Sequence, residues 1–117
     1  MNKLPKYLTI KQQAGSKEAD LFIDGEIVSD EFYDNDTSAA GFRDSLEQLG
    51  DVKTINLHIN SPGGSVFEGI AIYNMLKNNP AHINVYVDAL AASIASVIAM
   101  SGDAIFMPSN SMLMIHN

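Results

Sequence analysis

The sequence predicts an α/β domain with a mainly parallel sheet. Three observations predict it. Short runs rich in β-branched residues alternate with runs of helical spacing. Glycine or proline stands at several of the junctions between them. The 117 residues, 46% of them hydrophobic, suffice for one core and are too few for two ordinary ones.

Each element has its own warrant. "ADLFID" (19–24) predicts a strand closed by Gly25. The acidic stretch "DEFYDND" (30–36) has no metal-ligand spacing and predicts a solvated loop with Asp36 in a capping role. "TSAAGFRDSLEQLG" predicts a helix capped by Thr37 or Ser38 and ended by Gly50. "TINLHI" (54–59) is a strand, "SPGGS" (61–65) a loop, and "VFEGIAIYNMLKNN" (66–79) a helix stopped by Pro80. In that helix Val66, Phe67, Ile70, Ala71, Met75 and Leu76 recur at three- and four-residue spacing. "HINVYVD" (82–88) predicts a strand, "AASIASVIAMSG" (91–102) a small-residue helix, and "AIFMP" and "SMLMIH" two further strands.

Composition excludes several classes of function. The net charge of −7, with seven scattered Lys and Arg, provides no basic stripe for nucleic acid. Without cysteine there is no disulfide, no thiolate metal site and no thiol nucleophile. The longest apolar stretch, "ALAASIASVIAM", falls well short of the roughly 20 residues a membrane span requires, and the N-terminus has no secretory pattern. A cytoplasmic protein with neither cofactor nor metal is the expectation.

Chemistry concentrates in three places. Gly63 and Gly64 precede a helix start, where positive φ and free N–H groups can cradle a phosphate or an oxyanion; alone, Pro-Gly-Gly is also ordinary turn chemistry. Ser93 follows a strand at the start of a predicted helix, as displayed nucleophiles do, and the N–H of Ile94 comes next; small residues there also serve close packing. His116 ends an apolar strand, where a lone histidine is more often a structural residue than a general base. His58 and His82, in or at the start of strands, take structural roles.

Together, "INSPGGSVFEGIAIYNML", "AASIASVIAMSGD" and "MLMIHN" resemble the Clp-type serine proteases, and look most like their phage and prophage head-maturation branch. The resemblance runs from "LFIDGEI" to Asn117. It implies the spiral of strand and helix units shared with crotonases. It implies Ser93 as nucleophile, His116 as general base, and the N–H groups of Gly64 and Ile94 as oxyanion hole. Ser61, Pro62, Gly63 and Ser65 would help bind an extended peptide or protein substrate by backbone pairing. Homo-oligomeric rings, heptameric or stacked, are implied for the full-length protein, with an unfoldase or phage capsid proteins as partners.

The sequence also departs from the family. No counterpart of the triad aspartate or of the inter-ring handle lies within these residues, and Asp88 and Asp103 do not match the acid. A fragment lacking its C-terminal part, weak or inactive alone, is the expectation. Ala89 stands where many relatives carry glycine, which implies strain if that position needs positive φ. A crotonase-type acyl-CoA enzyme and a catalytically inactive, peptide-binding ring subunit are the alternatives.

Overall fold

The computed structural model describes residues 8–11, 17–31, 33 and 36–114. Nine elements follow one another: β1 (Leu8–Lys11), β2 (Glu18–Ile27), α1 (Ala39–Leu49), β3 (Thr54–Gly64), α2 (Val66–Asn78), β4 (His82–Ala92), α3 (Ile94–Ala99), β5 (Ala104–Phe106) and β6 (Met112–Met114). The strands form one sheet in the order β1-β2-β3-β4-β5, with β6 also on β4. Only the β1–β2 pair is antiparallel. β4 holds two neighbours along one strand: β5 pairs with Asn84–Tyr86, and β6 with Leu90–Ala92.

Alternation sets the two faces of the sheet. Leu21, Ile23, Ile55, Leu57, Ile59, Ile83, Val85 and Val87 are buried in one cluster with Phe42, Ile72, Leu76, Ile94 and Ile98 from the helices. On the other face Phe22, His58, Tyr86 and Phe106 stack in a row across four strands, with ring centroids 4.8, 5.1 and 4.9 Å apart.

The helix boundaries follow their caps. Ser38 accepts from Gly41 N–H and opens α1, while Gly50 closes it at φ 63°. Ser65 accepts from Glu68 N–H and opens α2. Glu68 then reaches across to accept from Ala39 N–H, 3.0 Å away, so the two helix starts are tied together.

Several expectations need correction. Asp36 is not the cap of α1: it is buried and accepts from Tyr33 N–H, closing a turn inside the acidic segment. "SPGG" is the extended end of β3 rather than a separate loop, because Glu26 and Ile27 of β2 pair with Gly63 and Gly64. The helix expected over 91–102 shrinks to six residues, since Ala91 and Ala92 are drawn into β4 by pairing with β6. Ala89 has no positive φ; among the described non-glycine residues that conformation falls to Ser93. The apolar spacing in α2 held for Leu76, which is buried, and for Ala71 and Met75, which pack against the core, but not for Val66, Phe67 and Ile70. Gly69, Ile72 and Leu76 are buried, whereas Val66, Phe67 and Ile70 are 54%, 86% and 44% exposed. Gly69 decides the matter: a Cβ there would lie 2.1 Å from Ile94 Cγ1, so bare backbone is what lets α2 close on α3. β1 lies in a stretch for which the sequence predicted no element.

Candidate active site

Ligand sites in open parallel sheets lie beyond the carboxyl ends of the strands. Here the ends of β3 and β4 bring Gly63 against Ser93. A Cβ on Gly63 would stand 2.9 Å from Ser93 Cβ and 2.8 Å from Ala92 O. Gly63 therefore approaches the backbone of the Ser93 turn, which a residue with a side chain could not do without displacing it.

Ser93 is the N-cap residue of α3 in position but not in function. Its φ of 54° and ψ of −125° are unusual for a residue with a side chain, and its hydroxyl makes no capping hydrogen bond. Such a conformation costs about 1–3 kcal/mol and persists only where the surroundings enforce it. They do so on both sides. Ser93 N–H donates to Met114 O at 2.8 Å, and Ser93 O accepts from Ser96 N–H at 3.0 Å and also from the buried Ser96 hydroxyl. The strained turn leaves Ser93 Oγ uncommitted and half-exposed.

The N–H groups of Ile94 and Gly64 are the expected oxyanion donors. Among the described residues nothing accepts from Ile94 N–H, which opens a short helix. In the glycine segment, Gly63 N–H is taken by Ser61 Oγ at 3.1 Å, and Ser65 N–H by Ile27 O at 2.8 Å. The nearest β2 carbonyl, that of Glu26, already accepts from Thr37 N–H. These bonds occupy the N–H groups on either side of Gly64. Gly64 is fixed in place: at φ 146° its missing Cβ would fall 2.1 Å from Ile27 O. It borders an open hollow of about 440 Å³ lined by Glu26, Val28, Ser29 and Asp30 among others.

The remaining expected site residues fall as follows. Ser61 is wholly buried and Ser65 caps α2, so any substrate contact from residues 61–65 comes from backbone rather than from these two side chains. His116 lies outside the described residues; the last of these, Met114, is the residue whose carbonyl holds Ser93. Asp88 sits 3.3 Å from His58 Nδ1 in the aromatic row, and Asp103 accepts from Ile83 N–H at the amino end of β4. Neither aspartate lies beside Ser93. His58 has Asp20 at 3.7 Å on its other nitrogen. Close by, partial burial, and then the Asp88 charge, raise the Asp24 carboxyl above its ordinary range against an opposing pull from His58. His82 is exposed and bonds Asn84, as a structural residue would. Sequence reasoning missed Met114 and Ser96 as holders of Ser93. No sequence signal marks a carbonyl partner 21 residues away (114 − 93). Among the described residues, no cluster of His, Asp and Glu has the geometry to hold a metal ion, and no helix is long and apolar enough to cross a membrane.

An α/β fold with a strained serine and flanking N–H groups at the carboxyl ends of adjacent parallel strands defines a candidate acyl-transfer site. Residues 9–117 match the family described as Clp protease, and the chain belongs to that family. The ATP-dependent Clp protease proteolytic subunit of Ligilactobacillus salivarius is 42% identical over 73 residues, 61% of this chain and 37% of that protein. The corresponding subunit of Pleurastrum terricola is 43% identical over 58 residues, 50% of this chain and 30% of its own length. Among solved structures, ClpP1 from Listeria monocytogenes superposes with a TM-score of 0.70 at 27% identity, covering 83% of this chain and 55% of that one. The ClpP protease catalytic domain from Plasmodium falciparum gives 0.70 at 31% identity, covering 83% and 54%. The matched stretches thus span about a third of these curated relatives and just over half of the solved chains.

Proposed function

We propose that the full-length protein is a Clp-type serine endopeptidase in which Ser93 Oγ attacks the carbonyl of a scissile peptide bond. His116 takes the hydroxyl proton as the acyl-enzyme forms, then returns it to the leaving amine; water attack in the second half regenerates the serine. The N–H groups of Gly64 and Ile94 hold the oxyanion, and residues 61–65 pair with an extended substrate by backbone. Met114, whose carbonyl holds the Ser93 N–H, stands two residues before His116 in the sequence. Asp88 pairs with His58 and Asp103 accepts from Ile83 N–H, so neither is assigned as the third triad member, which is sought in the full-length protein. Without it the chain alone is expected to turn over peptide about 10⁴-fold more slowly, the cost of losing the orienting carboxylate in another serine protease. The sequence pattern points to capsid-maturation substrates, and family membership to ring assembly in the cytoplasm.

The observation that carries the proposal is Ser93 itself: a side-chain-bearing residue held at φ 54° with a hydroxyl given no structural task. A fluorophosphonate probe tests it. Full-length wild type and Ser96→Ala are expected to be labelled, and Ser93→Ala and His116→Ala to lose labelling. A folded Ser93→Ala protein that still reacts and still cleaves peptide overturns the assignment.

A further inference from the structure

We propose that Ser61 is a positioning residue that sets the direction of the oxyanion-holding N–H of Gly64. The proposal rests on the endopeptidase reading above and adds to it a side chain that touches neither substrate nor nucleophile.

The strand ladders fail at the level of Ser61. Between the pairs Asp24↔Asn60 and Glu26↔Gly63, β2 advances two residues while β3 advances three. Between Ile59↔Val87 and Ser61↔Ala91, β3 advances two while β4 advances four. Both neighbours of β3 lose register within the same few residues, and Pro62, next in line, has no N–H to offer either of them. Pairing with β2 resumes at Glu26↔Gly63 and Ile27↔Gly64, while β4 offers Gly63 and Gly64 no partner, so the ladder holds these two peptides from one side. Gly63 and Gly64 cannot orient themselves, since glycine has the widest conformational freedom of any residue.

The Ser61 hydroxyl fills that gap. It is wholly buried, donates to Gly25 O at 2.6 Å and accepts from Gly63 N–H at 3.1 Å. A carbonyl can only accept and a backbone N–H can only donate, so the direction of both bonds is fixed. The hydroxyl thus bolts the Gly63 peptide to β2 across the bulge at Gly25, itself at φ 64°. By occupying Gly63 N–H it also removes the competing donor next to Ser93. With Gly63 N–H spent on Ser61 and Ser65 N–H on Ile27, Gly64 N–H is the donor that the endopeptidase reading assigns to the oxyanion. Without the hydroxyl, Gly63 N–H is released and the Gly63 peptide loses its tie to Gly25.

The test compares wild type, Ser61→Ala and Ser61→Cys in the full-length protein, using a fluorogenic peptide, its cleavage product, and a peptide boronate whose tetrahedral adduct puts oxygen where the oxyanion forms. Loss of one oxyanion donor costs about 10²–10³ in kcat. A misdirected donor is expected to cost Ser61→Ala about 10–100-fold in kcat, with KM within about threefold. Boronate affinity should fall in parallel with kcat/KM, and affinity for the product peptide that carries the new amine should hold, because only the boronate uses the oxyanion site. Ser61→Cys keeps the volume with a weak acceptor and should fall between the two; if Ser61→Ala does not fold, the same split in Ser61→Cys carries the proposal. A folded variant with wild-type kcat and boronate affinity overturns it, as does equal weakening of product and boronate binding, which marks a merely structural residue. Wild-type protein inert to both peptide and fluorophosphonate overturns the endopeptidase reading itself, a result distinct from an active enzyme indifferent to Ser61.

Discussion

At the scale of single residues, Ser93 carries a conflict between conformation and chemistry. Its φ of 54° suits glycine, yet a side chain stands there. Ser93→Gly is therefore expected to stabilise the fold by about 1 kcal/mol while removing all probe labelling, a change that thermal melts of the two proteins would read. Unchanged or lower stability would mean that the turn is not strained. Asp24 offers a second residue-level test. Its folded-state pKa is raised, chiefly by partial burial and then by Asp88. A raised carboxylate favours the protonated form in the fold, so its effect is harmless below the unfolded pKa of about 4 and costs stability as pH rises through the folded value. Asp24→Asn should raise Tm at neutral pH and leave it unchanged near pH 3. The side chain is exposed, so solvent screening keeps the shift small, on the order of 1 °C. A gain that persists equally at low pH would separate the effect from ionisation.

At the scale of elements, α2 and α3 meet where Gly69 faces Ile94. Gly69→Ala gains up to about 1 kcal/mol of helix propensity but forces a Cβ into Ile94, with overpacking of about 1–3 kcal/mol. The net effect should be destabilising in wild type and reversed in an Ile94→Ala background. A double-mutant cycle by urea melts should give a coupling above about 1 kcal/mol; additive effects would mean that the helices yield freely. The same contact shows what periodicity can and cannot reveal. The start and end of α2 were legible in Ser65 and Pro80, because capping and the missing proline N–H are local. Its buried face was not, since α2 is apolar on most sides and only the partner helix distinguishes Gly69 and Ile72 from Phe67 and Ile70. Likewise Ser93, Gly64 and Ile94 were legible as a motif, whereas the hydrogen bonds from Ser61, Ser96 and Met114 that shape the site depend on segments remote in sequence or on an unusual turn.

For the whole molecule, the alternation of elements was enough to foresee a parallel sheet with helices on its apolar face. It did not foresee how much apolar surface would stay open. Phe67 at 86%, Met112 at 55%, Val66 at 54% and Phe106 at 46% exposure are far from what a monomer usually leaves bare. The 117 residues by themselves are therefore expected to self-associate as concentration rises, and Phe67→Asp to shift the onset upward several-fold in static light scattering. A monodisperse monomer at all concentrations would show that these side chains do not drive association.

The hydrogen bond from Ser93 N–H to Met114 O has a consequence in time as well as in space. A chain is made from its amino end, and Met114 is added 21 residues after Ser93 (114 − 93). At roughly 5–20 residues per second, that delay lasts about 1–4 s. During it the turn at Ser93 has no carbonyl to receive its N–H, and a strained backbone with half of its restraints relaxes. Birth order thus keeps the serine unformed on the nascent chain, and its geometry is completed only after the β6 strand has been made.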